Sequence, residues 1–230
     1  MHRFPLRSLA LLAALGCSES PDAPRPDASG AGQLAMLNAL GAGDDASLKV
    51  DGDAVALPPP GQSGTAELSA GAHQLQVITG AGQAVASRTI TLTAGGHRTA
   101  VLSGAAGRNV LLVTTLDTAA VPVLDAAKLR VVHTVASAPA MDAYVFAVGQ
   151  AADSAARFLS NFHFGTGADP AFPGYAIRPP GEYLVWLKAA GTDNILLQAG
   201  PMTLNAGDVY SFVLAQNQAG DLELRAVKEH

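Results

Sequence analysis

Leu34-Ala35-Met36-Leu37-Asn38 and, 95 residues further on, Leu129-Arg130-Val131-Val132-His133 are two versions of one apolar run, and their pairing decides the fold. At the same spacing Leu48-Lys49-Val50 falls on Ala143-Tyr144-Val145. Ala70-Gly71-Ala72-His73 then matches Pro180-Gly181-Glu182-Tyr183 at a spacing of 110. Thr91-Leu92-Thr93-Ala94-Gly95 matches Thr203-Leu204-Asn205-Ala206-Gly207 at 112, as Asn109-Val110-Leu111-Leu112 matches Asp221-Leu222-Glu223-Leu224. Order is kept and two insertions suffice, the signature of a tandem duplication. The second copy is longer by about 15 residues between Ala147 and Pro179.

Within each copy the pattern is strand and turn. His73-Gln74-Leu75-Gln76-Val77 and Arg88-Thr89-Ile90-Thr91-Leu92 alternate polar and apolar, the period of a strand with one wet face. Ala70-Gly71, Ala94-Gly95-Gly96 and Ala206-Gly207-Asp208 supply turns between such runs. Gly and Pro together account for 38 of 230 residues, which favours many turns over long helices. The expected class is therefore all-β: two tandem antiparallel β-sandwiches of immunoglobulin-like or prealbumin-like kind, 34–117 and 129–230, behind a disordered tether. Residues 118–128 read as a short connector outside any continuous core, broken at Pro122, so that each copy should fold alone. Residues 150–159, alanine-rich without Gly or Pro, are compatible with a helix inside the insertion.

The N-terminus reads as an export signal, 1–16, to be set aside from the fold. Arg3 and Arg7 precede the Leu/Ala run 9–15, which as a helix rises only about 10 Å against a hydrocarbon core of about 30 Å. The run ends at Ala14-Leu15-Gly16-Cys17, and Cys17 is the sole cysteine. This segment resembles the bacterial lipobox, with Ala14 standing where Leu is commonest and Leu15 one place late. The resemblance implies a lipidated Cys17 as the new N-terminus, its two acyl chains sufficient for stable membrane anchoring. Residues 17–33 then form a Pro/Ser/Asp-rich tether able to reach on the order of 50 Å when extended. Beyond the signal, twelve Lys and Arg face nineteen Asp and Glu, a net charge of −7, so nucleic acid is not an expected partner.

Arg130-Val131-Val132-His133, followed by Ser137, Pro139, Ala140, Asp142, Ala143, Tyr144 and Val145, resembles the opening motif of the bacterial domain of unknown function 4397 family. Ser160-Asn161-Phe162-His163-Phe164-Gly165 and Gly174-Tyr175 resemble its middle strands, and Pro180-Gly181-Glu182-Tyr183 its turn. The first copy is the weaker match, with Asn38 in place of the His. In the second copy Thr134-Val135-Ala136 lengthens the loop after His133. The resemblance implies an extracytoplasmic β-domain of a kind often found on bacterial surface proteins.

Candidate chemistry is sparse. The six histidines fall at no metal-ligand spacing, and no nucleophile elbow or phosphate loop occurs, so neither metal nor cofactor is expected. Gly43-Asp44-Asp45 and Asp51-Gly52-Asp53 read as Asp-Gly turns. His133, Ser137 and Asp142 are the residue types of a catalytic triad, but His133 and Asp142 are read as fastening the intervening loop. Apart from Phe4, every aromatic lies at or beyond Tyr144, which makes the first copy a spacer and the second the recognition unit. Leu184 and Trp186 align with Gln74 and Gln76, the wet positions, so both should lie on the outer face of their strand. They are covered there by Phe158, Phe162 or Phe172, or they form a binding patch for which Phe162, Phe172 and Tyr175 are further candidates.

The leading expectation is a non-enzymatic lipid-anchored envelope protein at the outer membrane or cell surface, adhesive, structural or partner-binding. The alternative is a carbohydrate-binding module using the second-copy aromatics, and the expected partners are the membrane and an envelope protein or polysaccharide. Cys17→Ser should abolish metabolic palmitate labelling and release the chain from membranes; labelling that persists in this variant would contradict the lipid anchor.

Overall fold

The computed structural model describes residues 30–41, 45–104, 110–113, 122–151, 157–164 and 174–229. The signal, Cys17, most of the tether, part of the connector and Phe172 therefore lie outside the described residues. The described chain is all-β, with no helix. The first eight strands are β1 (Ala31–Leu40), β2 (Ala46–Val50), β3 (Asp53–Val55), β4 (Ser63–Ser69), β5 (Gly71–Thr79), β6 (Ala84–Leu92), β7 (His97–Gly104) and β8 (Val110–Val113). The second eight are β9 (Ala127–His133), β10 (Met141–Ala147), β11 (Arg157–Phe162), β12 (Ala176–Arg178), β13 (Gly181–Ala189), β14 (Ile195–Leu204), β15 (Val209–Gln216) and β16 (Leu222–Lys228).

They form four sheets, β4-β1-β7-β8 and β3-β2-β5-β6 in the first unit, β12-β9-β15-β16 and β11-β10-β13-β14 in the second. The two units thus share one strand order. Residue registers agree as well: Leu48 faces Val77 as Ala143 faces Leu187, and Leu34 faces Ala66 as Leu129 faces Ala176. The spacing rises from 95 to 110 between these pairs, which places the insertion around β11. His73 Nε2 bonds Ser69 O at 2.7 Å, and the Tyr183 hydroxyl donates to Pro179 O at 2.8 Å, the same reach in each unit.

Several expectations need correction. The sandwiches are not wholly antiparallel, since β1 runs parallel to β7 and β9 to β15. Strand β1 already begins at Ala31, with Gln33 paired to both Glu67 and His97, so the tether ends earlier than expected. Strand β9 begins at Ala127, whose side chain is in the core, so the connector is shorter. Residues 157–159 are strand and not helix, paired to β10. The last repeat match slips by one residue: Leu102 faces Leu111, whereas its counterpart Leu214 faces Leu224, a spacing of 113. A one-residue slip matters because it exchanges the two faces of a strand.

Packing explains why the units are not separate beads. Leu34, Met36 and Leu40 of β1 enter the first sandwich core with Ala100 and Leu102 of β7. Leu129 and Val131 of β9 enter the second with Phe212 and Leu214 of β15. The residues between them point the other way: Leu37, Ala39, Val101, Val132, Val213 and Val227 form a third core between the units. Four sheets are stacked, at about 10 Å per layer. The two inner sheets are apolar on both faces, which is why Leu34-Ala35-Met36-Leu37 and Val131-Val132 read as continuous runs.

Polar contacts close the seam. Arg225 donates to Ala39 O and Gly104 O, at the ends of β1 and β7. Thr134 and Ser103 are joined through their hydroxyls at 2.8 Å, and Lys228 N–H donates to Gly61 O. Leu37→Ala removes a fully buried side chain that faces the other unit. It should cost about 2–5 kcal/mol in denaturant unfolding, like Leu34→Ala in the sandwich core; a cost below about 0.5 kcal/mol, that of a surface change, would contradict the third core.

Candidate functional site

The outermost sheet of the second unit carries Tyr144, Phe146 and Trp186 on the face that no other described strand covers. Along β13, Tyr183, Val185 and Leu187 are buried in the sandwich, and the alternate residues Leu184, Trp186 and Lys188 are half-buried on the opposite face. This is the orientation expected from the glutamine positions of the first copy. On neighbouring β10, Tyr144 lies opposite Trp186 and Phe146 opposite Leu184. Gly200, at φ 110°, helps seat β14 beside this pair: a Cβ there would lie 2.7 Å from Tyr183 O.

Phe146 is only 3% exposed although it stands on the outer face. Trp186 covers it, the two rings edge to face with centroids 5.3 Å apart. The Lys188 ammonium lies 5.0 Å from the Tyr144 ring centre and 3.1 Å from Asp193. Arg157, opposite Tyr144 on β11, is 3.5 Å from Asp142, and exposed Gln198 is opposite Trp186 on β14. The result is a partly exposed Tyr–Trp–Leu surface with a hydrogen-bonding rim. In the first unit Lys49 and Gln76 hold the positions of Tyr144 and Trp186.

The other candidates serve the fold. Phe162 is 4% exposed and packs in the core against His133, ring centres 5.5 Å apart, so it is not part of a surface. Phe158 also packs against that core and does not roof Trp186. Tyr175 donates its hydroxyl to Glu229 at 2.7 Å and lies under the Arg130 guanidinium at 4.5 Å. Arg130 in turn donates to Ser211 at 2.7 Å, and Ser211 to Glu229 at 2.5 Å. This charged network, buried beside the third core, was missed in the sequence. Its only signal is an Arg inside the apolar run 129–132, where the first copy has Ala35.

His133 and Asp142 fasten loops, but different ones. His133 Nδ1 accepts from Val135 N–H at 3.3 Å within its own loop, as expected. Its Nε2 is buried without a partner among the described residues, and burial pushes its pKa down, so the ring is neutral. Asp142 instead accepts from Asn161 N–H at 2.8 Å, at the β11 bulge, and from Gly191 N–H at 3.0 Å, in the β13–β14 turn, both outside the 134–140 segment. Burial alone would raise the Asp142 carboxyl; those two N–H donors and Arg157 outweigh it and hold it below the usual range. Ser137 is exposed, so the triad residue types are not gathered at one point.

The fold and this face define the class, a double β-sandwich with one aromatic sheet face. The family model of the domain of unknown function DUF4397 matches residues 32–144, just under half of the chain. The match begins one residue into β1 and ends at Tyr144 in β10, so it takes in strands of both units, including the Arg130–Tyr144 stretch. No curated protein matches the chain. Among solved structures, the chain is similar to the Bacillus anthracis TIE protein at 9% identity and TM-score 0.24, over 81% of this chain and 34% of that one. It is also similar to a leucine-rich repeat protein from Bacteroides thetaiotaomicron at 11% identity and TM-score 0.22, over 82% of this chain and 26% of that one. The chain thus spans about a third and about a quarter of those two.

Two histidines give stability opposite pH dependences. His73 reaches two acceptors, Asp51 Oδ2 at 2.6 Å and Ser69 O, so both ring nitrogens donate and its pKa is raised. Its contribution is complete below the unfolded value of about 6.5 and fades as pH climbs through the folded one. Neutral His133 acts in the other sense, losing stability as pH drops below about 6.5, because the unfolded chain takes up the proton first. The thermal midpoint should therefore fall on both sides of neutrality, and Asp51→Asn should flatten the alkaline side only; an unchanged alkaline slope in Asp51→Asn would contradict the His73 assignment.

Proposed function

We propose that this chain is an exported, lipid-anchored protein of the bacterial envelope, non-catalytic, that attaches to an envelope component through the outer face of its second unit. The observation that carries the reading is the pair Tyr144 and Trp186, partly exposed side by side where the first unit has Lys49 and Gln76. Both units build the same strand order, so the fold does not require aromatics at these positions. Large apolar groups left on a free sheet face favour association.

Export and anchoring are supported by the signal-like start, the lipobox-like Ala14-Leu15-Gly16-Cys17 and the Pro-rich stretch after it. Ser18, where an Asp would favour inner-membrane retention, favours an outer-membrane location. A non-catalytic role is supported by how the polar residues are used. His133, Asp142 and the Arg130–Ser211–Glu229 network hold loops, strands and the seam between units.

Trp186→Gln should cut retention of the purified chain on isolated envelope fragments by about tenfold or more, as loss of a central aromatic anchor does. Its stability should drop by about 1–2 kcal/mol, since the ring is partly buried and covers Phe146. A loss of about 3–5 kcal/mol, the cost of deleting a core aromatic, with retention unchanged would show that the ring serves the fold.

A further inference from the structure

We infer that the ligand of this face is a neutral glycan, one or a few pyranose rings stacked on Trp186 with their hydroxyls on the surrounding rim. The inference rests on the proposed binding role of the face and names the chemistry it accepts. Size is the first argument. The described apolar groups with exposed surface here are Tyr144, Leu184 and Trp186, with Ile195 beyond Lys188 and Val148 just past the end of β10. A stable protein partner would need about 800 Å² and some 20–30 residues on this side. Five apolar side chains make a small nucleus for such an interface, whereas the Trp186 ring and its immediate neighbours match the footprint of a sugar ring.

Charge is the second argument. The two cations beside the aromatics are already paired, Lys188 with Asp193 and Arg157 with Asp142. The chain beyond the signal carries −7, so neither the local nor the overall field attracts an anion. An acidic polymer is disfavoured and an uncharged ligand is not.

Chemistry is the third. A pyranose offers an apolar patch of axial C–H bonds on one face and hydroxyls around its edge. The platform has the matching layout. Trp186 is braced edge to face by buried Phe146, so its ring is held in place before binding, which reduces the entropy lost on association. Gln198, Arg157, Lys188 and Asp193 around it offer both donors and acceptors. Tyr144 has Lys188 over its ring, so it contributes its edge and hydroxyl beside the platform.

Trp186 is the only tryptophan in the chain, so its fluorescence reports this face alone. The full chain in detergent would be titrated with neutral hexasaccharides of β-linked glucose, N-acetylglucosamine, xylose and mannose. At least one should shift the emission saturably, and Tyr144→Ala should weaken that binding by about two- to tenfold, the loss of one ring contact. Lys49→Ala, at the counterpart position of the first unit, should leave it unchanged. No saturable shift with any of the four, or equal affinity in Tyr144→Ala, would overturn the inference. So would tighter binding to an acidic hexasaccharide that weakens with salt. Retention on envelopes that depends on Trp186 yet survives digestion of their glycans would refute the glycan and leave the binding face standing, whereas loss of that dependence would remove both.

Discussion

Leu37, Val101, Val132 and Val213 stand on the reverse side of strands that already fill the two sandwich cores, and burying them against each other is the constraint on which the rest depends. A sheet that is apolar on both faces must be covered on both, or each such side chain forfeits about 1.5–3 kcal/mol of burial. Neither unit can meet that need alone. Stacking the inner sheets of the two units meets it for both at once, and it confines the polar groups at the seam. Arg130, 2% exposed, is tolerated there because Ser211, Glu229 and Tyr175 surround its guanidinium. A buried charge without such partners would cost several kcal/mol. Arg225 donates to the backbone carbonyls of Ala39 and Gly104 at the ends of β1 and β7.

With the inner faces committed to the seam, each unit has one sheet face that no other described strand covers, and the duplication compares the two directly. The first unit presents Lys49, Gln74 and Gln76; the second presents Tyr144, Leu184 and Trp186 on the same register. The free aromatic face is also the layer farthest from the first unit, at the end of the stack.

Much of this was legible in the sequence, for physical reasons that also mark where legibility stopped. Period-two alternation in His73–Val77 fixed the inward and outward sides of β5, and the repeat carried that choice to Tyr183–Leu187 across 110 residues. The parallel pairs β1–β7 and β9–β15 were not visible, because pairing between the first and seventh strands of a unit leaves no local mark. The third core is invisible in the sequence for a related reason. An apolar run such as Leu129–Val132 looks the same whether its second face meets a partner sheet or solvent, and only the pairing of two such runs resolves it. Composition counts rings without their direction, so it does not separate Phe162 and Tyr175 from the surface aromatics. The bulge at Asn161, φ 51°, turns Phe162 inward against His133. Tyr175 is drawn to Glu229, 54 residues later, a contact no spacing rule reaches.

The most direct test of the shared core is urea unfolding of the intact chain, followed at once by Trp186 fluorescence and by far-ultraviolet circular dichroism. The fluorescence comes from the second unit alone, and the dichroism comes from the strands of both. One seam buried from both sides makes the two units lose structure together, so the two curves should coincide in midpoint and slope. A fluorescence transition separated from the dichroism transition would mean that the units unfold independently and that the third core does not join them.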